Sequence, residues 1–125
     1  MTNSNDALQH RMALERLVVD HLLSTMHSRG WDAYAVNLGE DEIEFCANID
    51  EVREHIFSVD MSTIYFRNPS LPEEGKQWAA IILGNDGWDA IADHSYREGS
   101  SFLRIMDEEI APYVDLLCEE PNDAS

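Results

Sequence analysis

Three aspartates and a histidine lie close together in the segment 78–95, WAAIILGNDGWDAIADHS. Carboxylate and imidazole groups are the side chains that most often transfer protons, and both also bind metal ions. A metal-binding or hydrolytic domain is therefore one interpretation of this segment. Its candidate residues would be Asp86, Asp89, Asp93 and His94.

The spacing of these residues favours a tight turn and an exposed strand face instead. Asp86 stands within GNDG, and aspartate is common in turns because its side chain bonds nearby backbone amides. On a strand, Asp89 and Asp93 would lie about 13 Å apart, and His94 would point to the opposite side. The DxDxDG spacing of a calcium-binding loop does not occur in the sequence. The sequence predicts a β-hairpin here, with no metal ligands.

Other catalytic patterns are also missing from the sequence. His10 and His21 face the same way on a predicted helix, but no HExxH motif accompanies them. Cys46 and Cys118 form no CxxC pair, which predicts two reduced thiols rather than a zinc site. No GxSxG, P-loop or GxGxxG motif occurs. We therefore expect a non-enzymatic protein with no catalytic residue, no metal and no cofactor.

The first half of the chain shows one strong helical pattern. From Asp6 to Ser28, apolar residues recur at helical spacing, and Gly30 stands where the helix would end. The residues of this apolar face are Leu14, Leu17, Val18, Val19, Leu22, Leu23 and Met26. Short strands are predicted at 31–38 and 42–48. Asn48 with Glu51 marks the start of a second helix, which would end near Val59.

The second half predicts three strands and a helix. Alternating residues indicate strands at 62–67 and 88–93, and the apolar run at 78–83 is short enough for a central strand. A last helix runs from Ser100 or Ser101 to about Cys118, and Pro112 should kink or split it. The expected fold is a single α+β domain, residues 1–125, with element order α-β-β-α-β-β-β-α and an antiparallel sheet. The predicted core residues are Leu14, Val18, Leu22, Ile64, Phe66, Ile81, Leu103, Ile110 and Val114.

Charge is the largest anomaly of the composition. The chain has 25 acidic and 8 basic residues, for a net charge of −17. Such a surface repels nucleic acids and anionic membranes and attracts basic proteins. No apolar run approaches the ~20 residues of a membrane span. The polar segment 1–7 does not resemble a signal peptide, so a cytoplasmic location in a bacterial host cell is expected.

The segment ILGNDGWDAIADHS, followed by a terminal helix, resembles the end of small uncharacterised proteins from phages, prophages and plasmids. Their signature has the form G-N-(D/G)-x-D-V-I-x-D-Y-(S/T). The matching residues are Gly84, Asn85, Asp86, Gly87, Asp89, Ile91 and Asp93, whereas Ala90 and His94 replace valine and tyrosine. This resemblance implies a mobile-element origin and an α+β domain with a three-stranded antiparallel unit. It implies no catalytic residue.

Charge and resemblance together predict an interaction protein. We expect acidic patches to bind a basic nucleic-acid-handling protein and to block its DNA or RNA site, as anti-restriction and anti-CRISPR inhibitors do. The predicted partner-binding residues are Glu40, Asp41, Glu42, Glu44, Asp50, Glu51 and Glu54 in one block, and Glu108, Asp115 and Glu119 in another. Solubility or salt adaptation would also explain the charge. A chaperone or adaptor-like module, which would expose apolar grooves and form a homodimer, is the remaining alternative.

Overall fold

The computed structural model describes the backbone of residues 4–119 and the side chains of residues 7–118. The helices are α1 (Ser4–Ser28), α2 (Ile49–Ile56), α3 (Ser101–Ile105) and α4 (Ala111–Glu119). A π-helical turn, Met106–Ile110, joins α3 and α4 into one C-terminal helix. The strands are β1 (Asp32–Asn37), β2 (Ile43–Phe45), β3 (Met61–Arg67), β4 (Gln77–Ile82) and β5 (Ile91–His94). A 3₁₀ turn, Pro72–Glu74, precedes β4.

The sheet is fully antiparallel, with strand order β2-β1-β3-β4-β5. Long N-terminal and C-terminal helices and a short middle helix accompany it, which confirms the predicted α+β fold. The start of α2 also agrees with the prediction, because the Asn48 side chain accepts a hydrogen bond from the Glu51 amide. This local capping contact is readable from sequence because both partners lie within one turn.

The hydrophobic core lies between one face of the sheet and the helices. Ile64 and Phe66 on β3 are fully buried, as is Leu22 on α1. Phe102 packs against both Phe66 and Trp31 with ring centroids 5.3 Å apart. Seven of the nine predicted core residues are buried. The other two, Leu103 and Val114, are half-buried.

Some predicted details are wrong. Strand β5 begins at residue 91 rather than 88, because the preceding segment forms a loop that packs on α1. Strand β2 ends at Phe45, since the chain must turn there to reach the α2 cap at Asn48. Leu17 is 46% exposed, because α1 turns that side away from the sheet. Helix α2 ends at Ile56 rather than near Val59.

Pro112 is accommodated without splitting the C-terminal helix. A proline cannot donate to the backbone carbonyl one turn earlier, and its ring crowds that carbonyl. The helix responds by widening into the π turn, where the Ala111 amide bonds to Met106 O. The Glu109 carbonyl is then bonded by Nε2 of His21 on α1, 2.9 Å away. His21 therefore supports the irregular helix.

Candidate partner-binding surfaces

The GNDG segment lies in the loop between β4 and β5, and this loop packs against α1. The amide of Gly84 donates to Oε2 of Glu15 at 2.7 Å, and Glu15 is only 4% exposed on α1. Gly87 has φ of +104°, and a Cβ there would lie 2.8 Å from Arg11 O and from the Leu14 Cβ. The loop therefore packs against the backbone of α1. This contact gives the signature-like residues a structural role.

The carboxylates of this region are occupied by local hydrogen bonds. Oδ1 of Asp89 accepts from the amides of Asp86 and Gly87, at 3.1 and 3.2 Å. The turn is thus stabilised by Asp89, and not by the Asp86 side chain as the sequence suggested. Oδ1 of Asp93 accepts from the Tyr96 hydroxyl and from the His94 amide, both at 2.9 Å, and these two bonds lower the pKa of Asp93.

The four residues of the metal hypothesis do not share a site. Nδ1 of His94 lies 2.9 Å from the carbonyl oxygen of Ser95. Within residues 4–119, the structure places no three His, Cys, Asp or Glu side chains where they could hold a metal ion. The hydrogen bonds of Asp89 to the amides of Asp86 and Gly87 instead stabilise the turn of this hairpin.

The first acidic surface consists of the predicted residues between 40 and 54. Glu40, Asp41 and Glu42 are exposed in the β1–β2 turn, and Glu44 on β2 is half-buried. Three further residues, Asp50, Glu51 and Glu54, are exposed on α2.

Two of the α2 carboxylates also have structural contacts. Asp50 forms an ion pair with Arg53 at 2.9 Å, yet its side chain stays 88% exposed. Glu51 accepts from the Ala47 amide at 2.8 Å. Arg53 additionally bonds Asp20 at 2.6 Å, which ties α2 to α1 and so fixes the position of this surface.

The turn at the tip of this surface has an unusual backbone. Glu40 and Asp41 both have positive φ, 52° and 65°, and the Glu42 amide bonds to Gly39 O at 2.9 Å. This is the geometry of a type I′ turn, in which Asn-Gly is the favoured pair. Residues with a β-carbon other than asparagine and aspartate are disfavoured there by roughly 1 kcal/mol or more each, so the penalty falls mainly on Glu40. The turn thus displays two carboxylates at a cost in stability.

The second acidic surface lies on the C-terminal helix. Glu108 and Asp115 are both exposed, whereas the side chain of Glu119 lies outside the described residues. The π turn rotates the chain less per residue than an α-helix, so Glu108 is displaced from the straight row with Asp115 that regular spacing predicted. The carboxylate of the neighbouring Glu109 is less available to a partner, because it forms an ion pair with Arg29 at 2.6 Å. That bond lowers the pKa of Glu109.

Sequence reasoning missed a third surface, the open face of the sheet. The strand residues that alternate with the core point away from the helices, and among the described residues no helix covers them. A bulge at Ala33–Ala35 turns Tyr34 onto this side, beside Tyr65. The face has three half-buried aromatic residues and three exposed apolar ones, namely Tyr34, Tyr65, Trp78, Phe45, Met61 and Ile43.

Two basic residues lie flat on the open face. The guanidinium of Arg67 stacks 4.6 Å from the centre of the Tyr34 ring, and the Lys76 ammonium lies 4.8 Å from the centre of the Tyr65 ring. Such cation–π contacts hold long side chains against aromatic rings. The alternation in β3 predicted that one face of this strand is apolar and the other more polar. It did not predict that no helix would pack on the second face, because that depends on where the helices lie.

Cys46 has the environment of an unreactive thiol. It is half-buried beside β2, and its Sγ lies 3.6 Å from Glu44 O. Burial raises the pKa of the Cys46 thiol, and the nearby carboxylates of Glu51 and Glu44 raise it further. A thiol with a raised pKa holds less thiolate, the nucleophilic form.

Comparison of the chain with models of known protein families, with characterised proteins and with solved structures gave no match. None of the helices in residues 4–119 is long and apolar enough to span a membrane.

Proposed function

We propose that this protein is a non-enzymatic inhibitor from a phage or other mobile element, acting in the bacterial cytoplasm. Its acidic surfaces would bind a basic, nucleic-acid-handling protein of the host and block its DNA or RNA site. Anti-restriction and anti-CRISPR proteins are the class of inhibitor that this describes. The protein itself would bind neither nucleic acid nor membranes, because its net charge of −17 repels both.

The observation that carries this proposal is the type I′ turn of the first acidic surface. A turn built for stability alone would have Asn-Gly at positions 40 and 41. Instead, two carboxylates occupy backbone positions with positive φ at an exposed tip, and neither forms an ion pair among the described side chains. Strain retained at an exposed site is a reason to infer function there.

The spacing of the carboxylates on α2 also supports mimicry. Asp50 and Glu54 are four residues apart, so their Cβ atoms lie about 5 to 6 Å apart on the same side of the helix. This is comparable with the separation of neighbouring phosphates along a nucleic-acid strand. Together, the turn and α2 present several negative charges in one region, where a basic groove of the partner could bind them.

The test is a competition experiment with a matched control. The immobilised protein should capture a nucleic-acid-binding protein from bacterial lysate at low salt and release it at high salt. Purified wild type should then displace DNA or RNA from that captured protein. Glu40→Lys with Glu42→Lys should lose this displacement, because the first acidic surface is reversed in sign.

Glu73→Lys with Glu98→Lys is the control, since it makes the same change in net charge at exposed positions outside both acidic surfaces. It should displace nucleic acid nearly as well as wild type. Equal loss in both variants would mean that only the net charge matters. Undiminished displacement by the Glu40/Glu42 variant would refute the assignment of this surface.

The chaperone or adaptor alternative is favoured by one observation, the open apolar face of the sheet. A protein of that class would suppress aggregation of an unfolded client protein, and it would do so at high salt as well as low, because apolar contacts are not screened. Suppression by wild type and its loss in Phe45→Glu would support the adaptor. The metal-binding alternative gains no such observation from residues 4–119.

A further inference from the structure

We propose that the open face of the sheet is a homodimer interface, in which two copies of this chain pack sheet against sheet. Three features of the face support this proposal. The face is apolar, it carries little net charge in a strongly acidic protein, and it extends over five strands.

The apolar character of this face is concentrated in side chains that project to solvent. Phe45 is 76% exposed and Met61 is 64% exposed, on β2 and β3 respectively. Trp78 on β4 lies directly opposite Tyr65 in the sheet register. Exposed large apolar residues scattered singly are ordinary, but a contiguous set on one face marks an interaction site.

The charge on this face differs from that of the whole protein. Arg67 and Lys76 lie on it, while the sheet register places two carboxylates, Asp32 and Asp93, on the same side. The Asp93 carboxylate is engaged by the Tyr96 hydroxyl. These four charges balance, whereas the acidic surfaces of the β1–β2 turn, α2 and the C-terminal helix do not. Two copies with a charge of −17 each can therefore approach most closely through this face.

The two basic side chains of the face lie over tyrosine rings, with Arg67 against Tyr34 and Lys76 against Tyr65. Stacked sheets pack about 10 Å apart when their side chains interdigitate. An apolar face with balanced charge suits such packing from both sides of a two-fold axis.

The size of the face approaches what a specific dimer needs. Strands lie about 4.8 Å apart and advance about 3.3 Å per residue, so the 26 residues of the five strands cover roughly 400 Å². Two such faces bury on the order of 800 Å² in projection, close to the lower limit of roughly 1,000 Å² for a specific interface. The projecting side chains of Phe45 and Met61 increase the accessible area beyond this projection.

The test is the oligomeric state in solution, measured by sedimentation equilibrium. Wild type should be a dimer whose association strengthens with added salt, since salt screens the repulsion between two acidic chains. Phe45→Glu should weaken association by about tenfold or more, because it places a charge in the apolar contact between the two sheets. Leu116→Glu is the control, because Leu116 is an apolar residue of similar exposure, at 68%, but lies on α4.

Dimers of wild type and Leu116→Glu, with monomeric Phe45→Glu, would support the interface. A wild type that stays monomeric at sub-millimolar concentration in high salt would overturn it, as would dissociation by Leu116→Glu alone. Unfolding midpoints establish that each variant is folded, and Met61→Glu replaces Phe45→Glu if the latter does not fold. Added salt should strengthen the dimer but weaken binding of a basic partner. The two proposals can therefore fail independently, and the salt dependence shows which one has failed.

Discussion

The amide of Gly84, in the loop between β4 and β5, donates a 2.7 Å hydrogen bond to the buried carboxylate of Glu15 on α1. These residues are 69 positions apart, and the bond fixes the end of the β-hairpin against the longest helix. The aspartates that suggested a metal site therefore belong to a segment whose backbone is anchored. Asp89 bonds the turn amides, and Glu15 holds the loop in place.

Gly87→Ala should destabilise the protein more than Gly84→Ala. Both glycines have positive φ, so each alanine costs roughly 1–2 kcal/mol through its backbone alone. Only at Gly87 would the new Cβ meet the backbone of α1, which adds roughly 1–3 kcal/mol of overpacking. Chemical denaturation measures both differences. Equal losses of unfolding free energy would show that the loop does not pack on α1 as described.

Leu22→Ala should lower the free energy of unfolding by roughly 2–5 kcal/mol, because Leu22 lies on the face of α1 that is fully buried in the core. Leu17→Ala removes the same atoms from the same helix, but at a position 46% exposed. It should cost less than about 1 kcal/mol. Comparison of the two denaturation midpoints tests which side of α1 is buried. Similar midpoints would contradict the orientation of the helix.

The parts of this fold that sequence could predict are those determined by near neighbours. Asn48 and Glu51 lie within one turn, so their capping contact is visible as a motif. The alternation of Ile64 and Phe66 with Tyr65 predicts a half-buried strand from a period of two. In both cases, the contact or period lies within one segment of the chain.

The parts that sequence could not predict depend on long-range packing. The exposure of Phe45 follows from the helices all lying on the other side of the sheet. The clash at Gly87 follows from its distance to α1, and the π turn is completed by His21 from a distant helix. The acidic residues illustrate the same limit. Their exposure was predicted, but the ion pair between Arg29 and Glu109 and the left-handed turn at Glu40 were not.

Glu109→Gln should make the unfolding midpoint less sensitive to acid. The hydrogen bond from Arg29 lowers the pKa of Glu109 in the folded state below its ordinary value of 4.5. A lowered carboxyl pKa stabilises the fold above that ordinary value, and the contribution is lost as the pH falls through the folded pKa. The gap between wild type and Glu109→Gln should therefore be widest near neutral pH and close on acidification.

Glu108→Gln is the control for this titration, because among the described side chains Glu108 forms no ion pair. It removes the same carboxylate one residue away and should not reproduce the pH-dependent gap. Thermal unfolding followed across the acidic range compares the three proteins. A gap that stays constant at every pH would mean that the Arg29–Glu109 pair does not form in solution.

Glu40→Asn with Asp41→Gly should stabilise the fold and weaken binding to the captured partner. The substitution supplies the residue pair that a type I′ turn favours, which should raise the free energy of unfolding by about 1 kcal/mol. It also removes two carboxylates from the tip of the first acidic surface. Glu40→Gln with Glu42→Gln separates the effects, since it removes two charges without relieving the turn. A destabilised Asn-Gly variant would contradict the turn geometry.

The second acidic surface makes a separate prediction about the role of charge. Glu108→Lys with Asp115→Lys reverses two exposed carboxylates of the C-terminal helix and should slow association with the basic partner. The dissociation rate should change little, because exposed charges act mainly on diffusional encounter. The effect should fade at high salt. At physiological ionic strength, charges more than about 8 Å apart are largely screened from each other, and this distance shortens as salt is added.

The fold should tolerate these reversals within about 0.5 kcal/mol each, since both positions are exposed. Association kinetics measured at low and high salt compare this variant with the Glu73→Lys and Glu98→Lys control, which carries the same net charge. If both pairs slow association equally, the partner senses only the overall charge and neither surface is specific. If neither pair does, and affinity is the same at both salt concentrations, then the charge of −17 serves solubility and the inhibitor proposal gives way to the adaptor alternative.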